Sequence, residues 1–212
     1  MNSRSRFKLV VFDMDGVLVD INSSWSWIHQ HFGVNNDESL KSYIQGDIDD
    51  KEFMRRDIAL WLEKKPSLSK RDIEEVLKKV PIMKGCKECL ETLRNQDYIT
   101  AVVSGGIRAL VKKVGVDYFD WIMVNDIEEG LTGEGVLEVP LNDKGKVFRS
   151  VLRKAGVSKE YTAAVGNSFI DVPMLKEAGF GIAFNPDDEE VCQAADVVVD
   201  EKDLRLILEY LS

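Results

Sequence analysis

The stretch Lys8 to Asp20, KLVVFDMDGVLVD, places two aspartates on either side of one methionine at the end of an apolar run. Carboxylates at this spacing, Asp13 and Asp15, can hold a divalent cation while one attacks an electrophile and the other moves protons. Leu9 to Phe12 have the length, β-branching and unbroken apolarity of a strand buried on both faces, as in a parallel sheet. That reading puts Asp13 at the carboxyl end of the strand, where open α/β sheets bind ligands, and Gly16 permits a tight turn just beyond it. Taken alone the motif also suits an acidic turn, so its meaning depends on what else reaches the same edge.

Three later loops do so: VVSGG with Ser104, NDKGK with Lys144 and Lys146, and AVGNSFID with Asn167 and Asp171. Each has an ordinary use, Ser104 as a helix cap, either lysine as a surface residue and Asp171 as a favourable charge at a helix start. Strand ends of one parallel sheet converge on one edge, however, so the set can share a site. Together these groups match phosphoryl transfer, in which positioning and charge neutralisation dominate. A carboxylate can accept the phosphoryl group, a hydroxyl and an ammonium can hold its oxygens, magnesium can cover the remaining charge, and Asp15 can supply a proton.

The elements that must position these groups follow from periodicity. After Asp20 the pattern turns helical through residues 21–80: Trp25, Ile28 and Phe32 share one face, as do Met54, Ile58, Trp61 and Leu62, and again Ile73, Val76, Leu77 and Val80. Ser69 and Asp72 form a capping-box start, and Pro66 and Pro81 punctuate helix ends. Trp25, Trp27, Phe53 and Trp61 are expected in the core, with one or two facing a pocket. From Gly85 onward helix and strand alternate. Residues 85–95 read as a helix, 99–103 as a strand, 108–114 as a helix, 121–125 as a strand and 143–155 as a helix. Residues 161–165 then read as a strand, 173–178 as a helix, 181–184 and 197–199 as short strands, and 204–211 as a closing helix. Gly130 and Gly133 mark a hairpin. Alternation of this kind predicts a doubly wound, Rossmann-like parallel-sheet α/β core, residues 1–20 and 81–212, with a small α-helical cap inserted after the first strand, residues 21–80.

Composition narrows the function classes. The 212 residues are 44% hydrophobic and 31% charged, ordinary for a folded domain, and the formal net charge of −9 disfavours nucleic acid and anionic membranes as partners. The opening MNSRSRF has no apolar targeting core and no later run would span a bilayer, which predicts a cytoplasmic protein. Cys86 and Cys89 fall on the same helical face as Leu90 and Leu93, so they read as buried small hydrophobes rather than a redox or zinc pair. His29 and His31 point different ways on a helix and do not share a metal.

With its DxDG(V)L loop, inserted helices, SGG loop, DKG lysine and terminal acidic loop in order, the chain resembles the haloacid-dehalogenase-like (HAD) phosphatase superfamily, in its phosphoserine-phosphatase-like branch. The resemblance implies a magnesium-dependent hydrolase of a small phosphorylated metabolite working through an aspartyl phosphate. Asp13 would be the nucleophile and Asp15 the general acid and then base. Ser104, Gly105 and Lys144 would bind phosphoryl oxygens, Lys144 being preferred to Lys146 because it precedes the glycine. Asp13, the Asp15 carbonyl, Asn167 and Asp171 would form the magnesium site. There are two departures. Asn22 stands where phosphoserine phosphatases carry a glutamate for the substrate's amino group, which implies a different substrate, with Arg55 or Arg56 as alternative attractors of an acidic group. Asn167 stands where the family usually has a metal-binding aspartate, which implies weaker metal binding and, at the extreme, a non-catalytic descendant binding a phosphorylated ligand or a protein.

Overall fold

A computed structural model describes residues 6–211. Most of the polar opening used above to argue location, residues 1–5, lies outside them. Six parallel strands form one sheet in the order β3-β2-β1-β6-β7-β8, where β1 is Leu9–Phe12, β2 Ile99–Ser104, β3 Trp121–Val124, β6 Thr162–Gly166, β7 Phe180–Phe184 and β8 Val197–Val199. A two-stranded antiparallel pair, β4 (Asp126–Ile127) with β5 (Gly135–Val136), is the hairpin expected around Gly130 and Gly133.

The first strand is central, paired with β2 on one side and β6 on the other. Its burial on both faces follows from the alternation of side chains along a strand. Val10 and Phe12 join one hydrophobic cluster, and Leu9 and Val11 the other. Ala101 and Val103 on β2 and Ala183 on β7 lie in the second cluster, with Val102 and Ile182 in the first, so the two layers of core are continuous across the sheet. One layer is covered by α5 (Cys86–Asn95) and α6 (Ala109–Val114), the other by α7 (Lys144–Ala155), α8 (Val172–Glu177) and α9 (Glu189–Ala194). Cys86 and Cys89 are buried free thiols on α5, and burial pushes the Cys86 thiol up to about 12.

Between β1 and α5 come α1 (Ser24–Phe32), α2 (Asp37–Ile44), α3 (Asp50–Lys64) and α4 (Lys70–Leu77). Ser23 caps α1 by accepting from the Ser26 amide, Gly33 ends it in the left-handed region, and the Ser69–Asp72 capping box forms as read from sequence. Periodicity did not mark α2, because only Ser39 on it is buried and Leu40 and Ile44 are exposed. The same reason hides α9, where Val191 alone is buried. The closing segment Leu204–Tyr210 is a 3-10 helix rather than an α-helix.

Candidate active site

Strand β1 ends at Phe12, and the chain leaves it with Met14 turned into the core and Asp13 and Asp15 lining a cavity of about 220 Å³. The turn requires glycine at residue 16. Its φ is +82°, and a Cβ there would sit 2.3 Å from the Asn167 side chain. The cavity is also lined by Ser104 and Gly105 from the end of β2, Lys144 from the start of α7 and Asn167 from the end of β6. The convergence expected of parallel strand ends is therefore realised in one place.

Lys144 is the hub. Its Nζ lies 2.7 Å from Asp13 Oδ1 and 2.6 Å from Asp171 Oδ1, and all three residues are nearly or fully buried, at 2%, 5% and 0% exposure. Asp143 holds the first turn of α7 by accepting from the Lys146 amide, while the Lys146 side chain is exposed, so of the two lysines Lys144 alone enters the site. Burial works against the Lys144 ammonium, but the two facing carboxylates offset it and hold its pKa above the ordinary value. One ammonium shared by two acids cannot satisfy both. Burial, then the charge of Asp171, pushes Asp13 up to about 7 despite Lys144.

Asp15 is held differently. Its Oδ2 accepts from the Ser24 amide at 2.7 Å and the Ser24 hydroxyl at 2.8 Å, whereas Oδ1 is buried without a partner among the described residues. Burial raises its pKa, and the Ser24 hydrogen bonds oppose the rise. A proton on this acid belongs on Oδ1, since Oδ2 is already an acceptor twice over. Gly106 is confined to glycine by the same arrangement, because a Cβ there would lie 2.6 Å from Met14 Cε and 2.8 Å from Asp15 Oδ2. Ser104 does not cap the following helix. Its Oγ accepts from the Gly106 amide at 3.1 Å, which leaves the hydroxyl proton for a ligand.

Asp171 enters the site through Lys144 and also fastens the loop before it: its Oδ2 accepts from the Asn167 and Ser168 amides at 2.9 and 3.2 Å. Asn167 donates from Nδ2 to Asp187 Oδ2 at 2.9 Å, leaving its carbonyl oxygen as the free end. Among the described residues no three His, Cys, Asp or Glu side chains converge as a metal cage. The charge balance nevertheless fits a hard divalent cation. Asp13, Asp15 and Asp171 bring three carboxylates against one ammonium, and magnesium is commonly held by one or two carboxylates completed by neutral oxygens and substrate phosphate.

The structure does not bring Arg55 and Arg56 here. Both pair with Glu52, at 2.7 and 2.8 Å, and they line a separate groove, so the expectation that either attracts an acidic group in this cavity is corrected. They project there because residues 52, 55 and 56 share an outer stripe of α3 whose opposite stripe carries Met54 and Ile58 into the core. Asn22 does line the cavity, together with Trp25, Asp50, Phe53 and Asp57. Ser24, Asp50, Asp57 and Asp187 were not singled out from sequence. Of these only Ser24 carried a signal, as part of a polar run at the start of a helical pattern.

The inserted helices are clasped across the cavity. Ser24 Oγ accepts from the Ile107 amide at 3.0 Å, Trp25 Nε1 donates to the Gly105 carbonyl at 3.1 Å, and Asp50 accepts from the Leu141 amide at 2.9 Å.

A family model described as haloacid dehalogenase-like hydrolase matches residues 7–179. A phosphoserine phosphatase of Methanocaldococcus jannaschii is 31% identical, over 96% of this chain and 97% of its own length, and one of Wolinella succinogenes is 31% identical over 96% and 100%. A solved phosphoserine phosphatase described as a phospho-aspartyl intermediate analogue superposes with a TM-score of 0.80 at 29% identity, covering 98% of this chain and 100% of that one.

Proposed function

The chain belongs to the haloacid dehalogenase-like hydrolases and is a phosphatase, and from that membership and the geometry of its site we propose that it hydrolyses a small phosphate monoester through a phosphorylated Asp13. The observation that carries this reading is the Lys144 ammonium held between Asp13 and Asp171, beside an Asp15 whose one free oxygen has no partner among the described residues.

In the first half-reaction an Asp13 carboxylate oxygen bonds to phosphorus as the bond to the ester oxygen breaks, and Asp15 gives its Oδ1 proton to the departing alcohol. Ser104 donates its hydroxyl hydrogen to a phosphoryl oxygen, and Lys144 supplies a fixed positive charge to another. In the second half, Asp15 takes a proton from water, the water oxygen bonds to phosphorus, and the bond to Asp13 breaks to restore its carboxylate. Ser24 keeps Asp15 in place through both halves. Asp13, the Asp15 carbonyl and Asn167 would hold magnesium, with Asp171 supporting the loop. The ion supplies charge neutralisation to a phosphate dianion that one lysine cannot balance alone.

A cavity of about 220 Å³, bordered by three hydrogen bonds between the inserted segment and the sheet-edge loops, suits a small metabolite rather than a macromolecule. Residues 21–80 thus act as the cap that excludes water from the phosphoryl-enzyme. Phosphate release from a panel of small phosphate esters, with and without magnesium, tests the reading. Magnesium-dependent release by the parent, and a phosphoryl group trapped on Asp13, are the expected results. Equal release by parent and Asp13→Asn rejects it.

A further inference from the structure

We propose that the alcohol released by this enzyme carries a cationic amine on an apolar body and no carboxylate, an inference that rests on the phosphatase reading and concerns the part of the same cavity lined by the inserted helices. Of the described residues lining the cavity, Lys144 is the one cation, and it is spent on Asp13 and Asp171 at the reactive end. The inserted helices contribute two further acids to the lining, Asp50 and Asp57, neither of which has a lysine or arginine partner among the described residues. Trp25 and Phe53 supply aromatic surface beside them, and Met54 adds a polarizable apolar wall.

Asp57 is not a solvated surface acid. It is 2% exposed, and Asn36 Nδ2 donates to its two oxygens at 3.0 and 3.3 Å. His29 lies beside it: Nδ1 accepts from Trp61 Nε1 at 2.6 Å, and Nε2 stands 3.3 Å from Asp57 Oδ2 without the geometry of a hydrogen bond. Trp61 in turn stacks on Trp25 with ring centroids 5.3 Å apart, so the acid and the aromatic wall are parts of one packed unit. Asp50 accepts from Tyr43 and the Leu141 amide through Oδ1, which leaves Oδ2 without a donor among the described residues.

A leaving group with a carboxylate would enter a space holding two acids and no basic side chain to receive it, and buried like charges are strongly disfavoured. An ammonium meets the opposite situation: carboxylates for its charge and aromatic faces for its alkyl groups, an arrangement that favours organic cations. The neutral Asn22 at the cavity wall adds no charge to this balance.

The test is a ranked series of esters: O-phosphocholine and O-phosphoethanolamine as cations, 3,3-dimethylbutyl phosphate as the neutral isostere of the first, L-phosphoserine as an ammonium with an added carboxylate, and phosphoglycolate as a carboxylate alone. The expected kcat/KM for the better cation exceeds that of the neutral isostere by about tenfold and that of both carboxylate esters by at least as much. In Asp57→Asn the cation-to-neutral ratio should fall to about threefold or less. Asp50→Asn gives the same readout should Asp57→Asn fail to fold. Calorimetric titration of Asp13→Asn with the same esters reads the binding order without turnover. Cation-first binding with no phosphate release by the parent from any ester would reject the phosphatase reading, and with it a released alcohol, while upholding the preference of the cavity for a cationic group. Release with phosphoserine or phosphoglycolate ranked first, or with the neutral isostere equal to the cations, would overturn it.

Discussion

The two ends of the cavity are built on opposite plans. At the reactive end, Asp13, Ser104, Lys144 and Asn167 come from four points of the sheet edge, each fixed by a strand end or a helix start, and their charges are closely interlocked. At the proposed leaving-group end, Asn22, Trp25, Asp50, Phe53 and Asp57 come from the inserted segment, and their acids are positioned by amides and hydroxyls rather than by lysine or arginine. The first plan fixes one chemistry for any phosphate ester. The second selects among esters, so substitutions at the two ends should fail in different ways: a common loss of kcat at one, a changed ranking at the other.

The largest expected effect is that of Asp13→Asn, which removes the attacking carboxylate and should lower kcat by about 10⁴-fold or more on every ester, read as released phosphate. Asp15→Asn should keep binding and lose about 10²- to 10⁴-fold in kcat, with esters of acidic, readily departing alcohols such as p-nitrophenol least affected in the first half-reaction. A ranking that changed with Asp15→Asn among esters of equally basic alcohols would mean that the two ends are not separable.

Lys144→Met should disturb the fold as well as the chemistry, because it strands Asp13 beside Asp171. Breaking a buried pair costs about 3–5 kcal/mol, and protonation of Asp13 relieves part of it. The sign follows from the raised pKa of Asp13: an acid whose folded value lies above its unfolded one costs stability as pH climbs from its unfolded value towards and past its folded one, from 3.8 to about 7 in the parent. Urea unfolding in metal-free buffer should therefore show a larger loss for Lys144→Met at pH 8 than at pH 5.5. For the same reason protons compete with magnesium, and half-saturation of the parent should move to lower magnesium as pH rises from 6 to 8.

Asn167→Asp restores a charge at the proposed metal site and should lower half-saturating magnesium by roughly ten- to a hundredfold. The structure adds a cost, since the Asn167 amide donates to Asp187, and a carboxylate there would face a second one. In chelator the variant should be less stable than the parent, and magnesium should reverse the order. Unchanged half-saturation would remove Asn167 from the metal site, and activity found only in the variant would make the parent a non-catalytic binder. The smallest effect belongs to Arg55→Ala and Arg56→Ala. Their pairs with Glu52 are open to solvent and screened, and kcat/KM should stay within about twofold for every ester.

The parallel sheet and the strand ends that meet at the cavity were legible in the sequence because each lies within a few positions of a strong local signal. A buried β-branched run stops at Asp13, another at Ser104 and another at Gly166, and parallel alternation dictates that such ends meet. Lys144 was distinguishable from Lys146 by family resemblance alone, and the helix geometry that turns one inward and the other to solvent appears only in the fold. The leaving-group end left almost no local trace. Asp50 and Asp57 are one-residue features of an amphipathic helix, indistinguishable by type or spacing from the solvated stripe of Glu52, Arg55 and Arg56, and it is the packing of α3 against α1, with His29 and Trp61 between them, that makes one acid a buried wall of the site and leaves its neighbours outside. A sequence sets which groups a chain owns and which strand ends they follow. The rotation of a helix about its axis, which decides the face a charge occupies, is settled by contacts among residues far apart in the chain.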